Sequence, residues 1–163
     1  MKTLISGFGC VCSLGSGAEE ISKNLFSDSI KPSYIKDRFK SSYALQFPVF
    51  QAPEKVLSQK EENESYSFLF LRKALSEAME KAALAKEDFR NLKVGVCIGT
   101  SVDASFNCFD FYKEWREGAE ISLAPLDRYI NYAVSDEVLG FLGVKGLSQT
   151  VVSACASGTD TSS

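Results

Sequence analysis

One stretch near the end of the chain, residues 150–160, carries side chains that could do covalent chemistry. Apolar and β-branched residues run up to Ser153, which predicts a buried strand. Cys155 follows among alanine, serine and glycine, whose small size lets the backbone turn sharply and lets a substrate approach. A thiol at a strand-to-helix turn meets unpaired backbone N–H groups and the positive end of a helix dipole, which favour a thiolate and stabilise an oxyanion. The pattern therefore predicts that Cys155 is the nucleophile of an acyl transfer to sulfur.

The elements that must position this cysteine are predicted from hydrophobic periodicity. Helices are expected over residues 18–27, 61–84, 104–116 and 126–141, and strands over residues 2–9, 93–100 and 150–153. This alternation favours an α/β fold with a mostly parallel sheet and flanking helices. Ligands of such sheets bind beyond the carboxyl ends of the strands, which is where Cys155 falls.

Two further segments carry specific expectations. Residues 93–100 form a nearly continuous apolar run, which predicts a strand covered on both faces. Residues 29–60 are rich in aromatic side chains, so we expect an ordered connection with a short hairpin around residues 43–50 rather than a disordered linker.

Composition excludes several classes of function. The chain has 163 residues, 45% of them hydrophobic and 24% charged, which is typical of one soluble globular domain. Its formal net charge is −3, and nucleic-acid binding calls for a basic surface instead. No apolar run is long enough for a signal peptide or a membrane span, so a cytoplasmic location without membrane association is expected.

The cysteine content and the absence of histidine bear differently on a catalytic role. The five cysteines are Cys10, Cys12, Cys97, Cys108 and Cys155, an odd number without metal-ligand spacing, so we expect free thiols and no metal site. The chain contains no histidine, although histidine is the usual acid–base partner of a catalytic thiol near neutral pH. A cysteine acyl-transfer enzyme of this composition is either unusual or incomplete.

The run Ser-Ala-Cys-Ala-Ser-Gly-Thr-Asp around Cys155 resembles the active-site signature of the β-ketoacyl-acyl carrier protein synthases. These are condensing enzymes of the thiolase-like superfamily, and the cysteine context is most similar to the elongating ketosynthases. The rest of the chain is compatible with this family: an opening Gly7-Phe8-Gly9 turn, a Leu14-Gly15 pair and a Gly99-Thr100 strand end. The resemblance implies a layered thiolase-like fold, with residues 1–163 as the N-terminal portion of a ketosynthase domain, truncated just after the nucleophile.

The family chemistry would be a decarboxylative Claisen condensation in fatty acid or polyketide biosynthesis. An acyl group would pass from an acyl carrier protein to Cys155 and would then be attacked by the carbanion from malonyl-acyl carrier protein. By the same resemblance, the Cys155 backbone N–H would form half of the oxyanion hole, and Val102 and Ala154 would line the acyl pocket. No cofactor is expected beyond the phosphopantetheine of the carrier protein. The expected partners are that carrier protein and a second copy or a related ketosynthase subunit.

In the family, the other half of the oxyanion hole and two histidines come from the C-terminal half. We therefore expect residues 1–163 alone to be inactive and, with one sheet face uncovered, to associate or dissolve poorly. Two alternatives remain open. One is a non-catalytic α/β binding or dimerisation module in which Cys155 is structural and reacts no faster than Cys97 or Cys108. The other is a natural half-enzyme that receives its histidines from another polypeptide.

Overall fold

The computed structural model describes residues 3–28, 30–32, 48–61, 64–101, 109–131 and 133–161. It divides into two units, Met1–Leu84 and Ala85–Ser163. Each unit has its own elements and buried side chains, and each is described by itself.

The first unit consists of a small hairpin and three helices. Its elements are β1 (Val11–Cys12), β2 (Gly15–Ser16), α1 (Ala18–Leu25), α2 (Glu54–Leu57) and α3 (Tyr66–Lys81), with β1 and β2 antiparallel. The predicted helices over 18–27 and 61–84 are confirmed with shorter bounds. The second begins at Tyr66 because the Ser65 hydroxyl accepts a hydrogen bond from the Phe68 N–H at 3.0 Å and caps the helix.

The prediction of a strand over residues 2–9 is wrong. The described residues 3–10 belong to no strand, and Leu4 and Ile5 are 84% and 88% exposed. The segment lies instead against the backbone of α3. A Cβ atom on Gly7 would stand 2.1 Å from the Ala78 carbonyl oxygen, and one on Gly9 would stand 1.9 Å from the Ala74 carbonyl oxygen. The glycines thus permit a contact between backbone and helix that any side chain would block.

The connection before α3 is described from residue 48 to residue 61. The hairpin predicted around residues 43–50 lies mostly outside the described residues. The short helix α2 was not predicted, and its Val56 and Leu57 are buried. They contribute to the core of this unit together with Leu69 and Met79 of α3.

The second unit places helices before, between and after two strands. Its elements are a 3₁₀ helix Lys86–Asn91, β3 (Gly95–Thr100), α4 (Phe109–Arg116), α5 (Ala124–Asn131), α6 (Val134–Leu142), β4 (Leu147–Val152), a 3₁₀ turn Ala154–Ala156 and α7 (Ser157–Asp160). The strands β3 and β4 are parallel, with Gly95 opposite Leu147 and Thr100 opposite Val152. The predicted parallel arrangement is confirmed, and the carboxyl ends of the two strands are in line. The strand before Cys155 was predicted to be buried and to reach Ser153, which is wrong: β4 ends at Val152 and all its residues are exposed or partly buried.

Two expectations for this unit need correction. The helix predicted over 126–141 is two helices, α5 and α6, and α6 ends at Gly143 in the left-handed conformation, with φ 68°. The strand predicted over 93–100 is not covered on both faces, because partly buried and exposed residues alternate along β3. That alternation is typical of a sheet with one covered face. Helix α6 packs against both strands, and four of its apolar side chains are buried: Val134, Val138, Leu139 and Leu142.

Candidate active site

Cys155 lies in the short turn that joins β4 to α7. The strand ends at Val152, the 3₁₀ turn covers Ala154–Ala156, and α7 begins at Ser157. The predicted placement of the cysteine between strand and helix is confirmed. Its thiol is free and exposed. The thiol therefore lies at the surface, beyond the carboxyl end of β4.

The backbone just before the cysteine is strained. Ala154 has a φ of 51°, in the left-handed region that residues with a Cβ atom seldom adopt. Such a conformation persists only where the surrounding structure holds it, and it is concentrated at functional sites. Two contacts within this unit hold the residues around Ala154.

The first contact is between the end of β3 and the start of α7. A Cβ atom on Gly99 would stand 2.4 Å from the Ser157 carbonyl oxygen and 2.6 Å from its carbon. Ser157 itself is buried. Only a glycine at position 99 lets the backbone that follows Cys155 lie this close to the strand.

The second contact is a side-chain hydrogen bond across the turn. The Ser153 hydroxyl donates to an Asp160 carboxylate oxygen at 2.5 Å. Ser153 precedes Cys155 by two positions and Asp160 ends α7, so this bond closes a loop around the cysteine. Both side chains are exposed. We call residues 153–160 the cysteine turn.

The predicted site residues are only partly within the described structure. Cys155 and Ala154 are adjacent in the cysteine turn, whereas Val102 lies outside the described residues. Sequence reasoning missed the roles of Gly99 and of Asp160. A glycine inside an apolar strand pattern signals a close backbone approach, so Gly99 could have been found from that signal. Nothing in the local pattern indicates that Ser153 and Asp160 would be bonded.

A groove lies elsewhere, in the first unit, with a volume of about 740 Å³. Its lining is charged, with residues from the β2–α1 junction and from α3: Ser16, Gly17, Glu19, Glu20, Lys23, Glu77, Glu80 and Lys81. Glu20 is paired with Lys55 at 2.6 Å. The Glu77 carboxylate accepts hydrogen bonds from Lys81 at 2.6 Å, from the Ala18 N–H at 3.0 Å and from the Cys10 N–H at 2.9 Å. These carboxylates are committed to structure, so the cysteine turn remains the candidate site.

The described residues contain no group of three or more histidine, cysteine, aspartate or glutamate side chains that could hold a metal ion. Nor does this part of the chain contain a helix long and apolar enough to cross a membrane.

The parallel pair β3–β4, with helices around it and a cysteine at the strand-to-helix turn, defines an α/β protein. Residues 2–162 match the family described as Beta-ketoacyl synthase, N-terminal domain. The chain therefore belongs to the β-ketoacyl synthase family, whose members are condensing enzymes of fatty acid and polyketide biosynthesis. No curated protein matched the chain.

Proposed function

We propose that the protein is a 3-oxoacyl-acyl carrier protein synthase with Cys155 as its nucleophile. One observation carries the proposal: in a chain of this family, Cys155 is exposed in the turn that directly follows a parallel strand. An exposed thiol beside small residues is accessible to a thioester, whereas a structural cysteine is usually buried.

The reaction has two steps. In the first, the Cys155 sulfur attacks the acyl thioester carbonyl and the carrier protein's thiol leaves with the proton that Cys155 gives up. The Cys155 backbone N–H donates to the oxyanion that forms during this attack. In the second, malonyl-acyl carrier protein loses CO₂, and the electron pair of the broken C–C bond attacks the acyl carbon on Cys155. The thiolate of Cys155 leaves, and the product is a 3-oxoacyl thioester longer by two carbons.

The substrates reach the site on the phosphopantetheine arm of an acyl carrier protein, and the reaction needs no other cofactor. In this proposal the acyl pocket is lined by Val102 and by Ala154, which directly precedes the nucleophile in the sequence.

The second partner is another copy of the chain or a related ketosynthase subunit. The exposed side chains of Leu147 and Val152 on β4 support such an association, because apolar surface at a strand favours pairing. Sedimentation of the protein would test it.

The test of the reaction uses the protein at its native length with acyl- and malonyl-acyl carrier protein. We expect a 3-oxoacyl product from the unsubstituted protein and none from Cys155→Ala. Cys97→Ala is the matched control, because Cys97 is also a free and exposed thiol, on β3. A Cys155→Ala variant that still elongates acyl chains would refute the proposal.

We also propose that the 163-residue chain does not catalyse the condensation by itself. It contains no histidine, and the family's decarboxylation step depends on two. Malonyl decarboxylation or chain elongation by pure residues 1–163 would contradict this. If Cys155 reacted with an alkylating agent no faster than Cys97, the structural-cysteine alternative would be favoured instead.

A further inference from the structure

Within the cysteine turn, one side-chain hydrogen bond takes no part in either step of the proposed reaction. The Ser153 hydroxyl donates to Asp160 at 2.5 Å, and the two residues lie on either side of Cys155. Backbone bonds also tie this segment: the Ala156 N–H donates to the Ser153 carbonyl oxygen at 3.2 Å, and the Thr161 N–H donates to the Ser157 carbonyl oxygen at 3.2 Å. The side-chain bond is the described contact that spans the whole segment.

The segment needs such a contact because its backbone conformation is unfavourable. Ala154 has a φ of 51°, whereas an alanine without such restraint prefers negative values of φ. The downstream end of the segment is fixed where Ser157 lies against Gly99. The upstream end follows Val152, the last residue of β4. The Ser153–Asp160 bond joins these two ends, and Ala154 and Cys155 lie between them.

We propose that Asp160 is a positioning residue for Cys155 that acts through the Ser153 hydroxyl. The pair holds the strained Ala154 peptide and thereby fixes the direction of the Cys155 backbone N–H. The inference rests on the proposed function, because that N–H matters only if an oxyanion forms beside Cys155. Asp160 touches neither the substrate nor the reacting atoms in this account.

The role predicts a difference between two reactions of the same thiol. Transfer of an acyl group to Cys155 builds an oxyanion, so it depends on the orientation of the backbone N–H. Alkylation by iodoacetamide displaces iodide at a saturated carbon and builds no oxyanion. Loss of the hydrogen bond should therefore slow acylation much more than alkylation.

The experiment measures both rates at Cys155 by peptide mass spectrometry, in the protein at its native length. Ser153→Ala and Asp160→Ala should each lower acylation from acyl-acyl carrier protein about three- to tenfold, the usual effect of losing one hydrogen bond. Their alkylation rates should change less than about twofold, because alkylation does not use the N–H. The double variant should be no slower than the single ones, because both remove the same bond.

Conservative variants and a matched control separate positioning from general damage. Asp160→Asn and Ser153→Thr keep an acceptor oxygen and a hydroxyl, so they should restore most of the acylation rate. Ser148→Ala is the control, since Ser148 also donates to a carboxylate, that of Asp136, but near the opposite end of β4. It should leave both rates at Cys155 unchanged.

Several results would overturn the proposal. Equal losses of acylation and alkylation would show local unfolding rather than positioning. Faster acylation in both Asp160→Ala and Asp160→Asn would show that the carboxylate acts through its charge. Normal acylation in Ser153→Ala and Asp160→Ala would refute the positioning role alone. No acylation of Cys155 in the unsubstituted protein would refute the proposed function, and the positioning role with it.

Discussion

Two turns of this chain contact backbone at glycines: residues 7–18, which we call the first turn, and the cysteine turn, which lies against Gly99 of β3. The two turns are held in different ways. In the first unit, Gly7 and Gly9 lie against carbonyl groups of α3, and the Glu77 carboxylate receives both the Cys10 and the Ala18 N–H groups. In the second unit, Gly99 lies against Ser157, and the Ser153–Asp160 bond is exposed to solvent. The first turn has three hydrogen bonds to one carboxylate, and the second leaves its cysteine accessible.

The two turns differ in which groups are free to react. The Glu77 carboxylate accepts from two backbone N–H groups and pairs with Lys81 at 2.6 Å, so most of its acceptor sites serve to stabilise a loop. The cysteine turn places small residues and a strained Ala154 around an exposed thiol. Backbone strain is concentrated at functional sites, and here it lies directly before an accessible thiol.

The largest effect is expected from Gly9→Ala in the first turn. The added Cβ atom would stand 1.9 Å from the Ala74 carbonyl oxygen, so the segment must leave α3. We expect a loss of about 3 kcal/mol of stability, at the upper end of overpacking costs. Hydrogen exchange of the α3 amides would report it as faster exchange. Unchanged exchange would show that the contact with α3 does not stabilise this unit.

Gly99→Ala should perturb the cysteine turn in the same manner. Its Cβ atom would stand 2.4 Å from the Ser157 carbonyl oxygen, and we expect a cost of about 2 kcal/mol. Gly95→Ala on the same strand is the matched control, because nothing lies within 4 Å of a Cβ atom there. The fluorescence of Trp115, the only tryptophan, measured in urea would distinguish the two variants. Equal midpoints for both would contradict the proposed packing.

Glu77→Gln should destabilise the first turn by about 1–2 kcal/mol, because the hydrogen bonds from Lys81 and from the backbone then lose their charged acceptor. Glu80→Gln, on the exposed side of the same helix, is the control and should cost less than about 0.5 kcal/mol. Hydrogen exchange of the α1 and α3 amides would measure both variants. Equal protection in the two would show that Glu77 is an ordinary surface carboxylate.

The same carboxylate makes the first unit sensitive to acid. The hydrogen bond from Lys81 and the Ala18 N–H lower the pKa of Glu77 from 4.5 to about 2. Because this pKa is lower in the folded protein than in the unfolded chain, the ionised carboxylate stabilises the fold above pH 4.5. This contribution is lost as the pH falls towards 2. Helicity followed by circular dichroism should therefore decline over that interval, and the decline should be smaller in Glu77→Gln. An identical acid transition in both proteins would contradict the assignment.

The smallest effect has the opposite sign. Gly140 lies inside α6, is exposed and has nothing within 4 Å of a Cβ atom. Gly140→Ala should stabilise the second unit by about 0.5–1 kcal/mol through helix propensity. A higher melting temperature is the expected measurement. A lower one would show that α6 is packed on that side.

The sequence predicts those features of the fold that depend on neighbouring residues, and it does not predict those that depend on contacts between distant ones. The helices α1 and α3 and the parallel pair β3–β4 follow from apolar periodicity, and Cys155 at the strand end follows from the residue types around it. The prediction of a strand over residues 2–9 is wrong because the apolar pattern of this segment is typical of a strand. Gly7 and Gly9 instead allow it to pack on α3, a helix distant in the sequence. Apolar periodicity runs on through residues 126–141 and does not mark the break between α5 and α6. The Ser153–Asp160 bond depends on the turn that brings residues seven positions apart together, which residue types alone do not indicate.

The role of Cys155 as nucleophile can be tested by locating the acyl group in the protein at its native length. The protein would be mixed with acyl-acyl carrier protein without a malonyl substrate, so that the first step occurs and the second cannot. Peptide mass spectrometry would then locate the acyl group. We predict one acyl group, on Cys155, and none in Cys155→Ala. An acyl group on any of the other four cysteines, or no acyl group at all, would show that Cys155 is not the nucleophile.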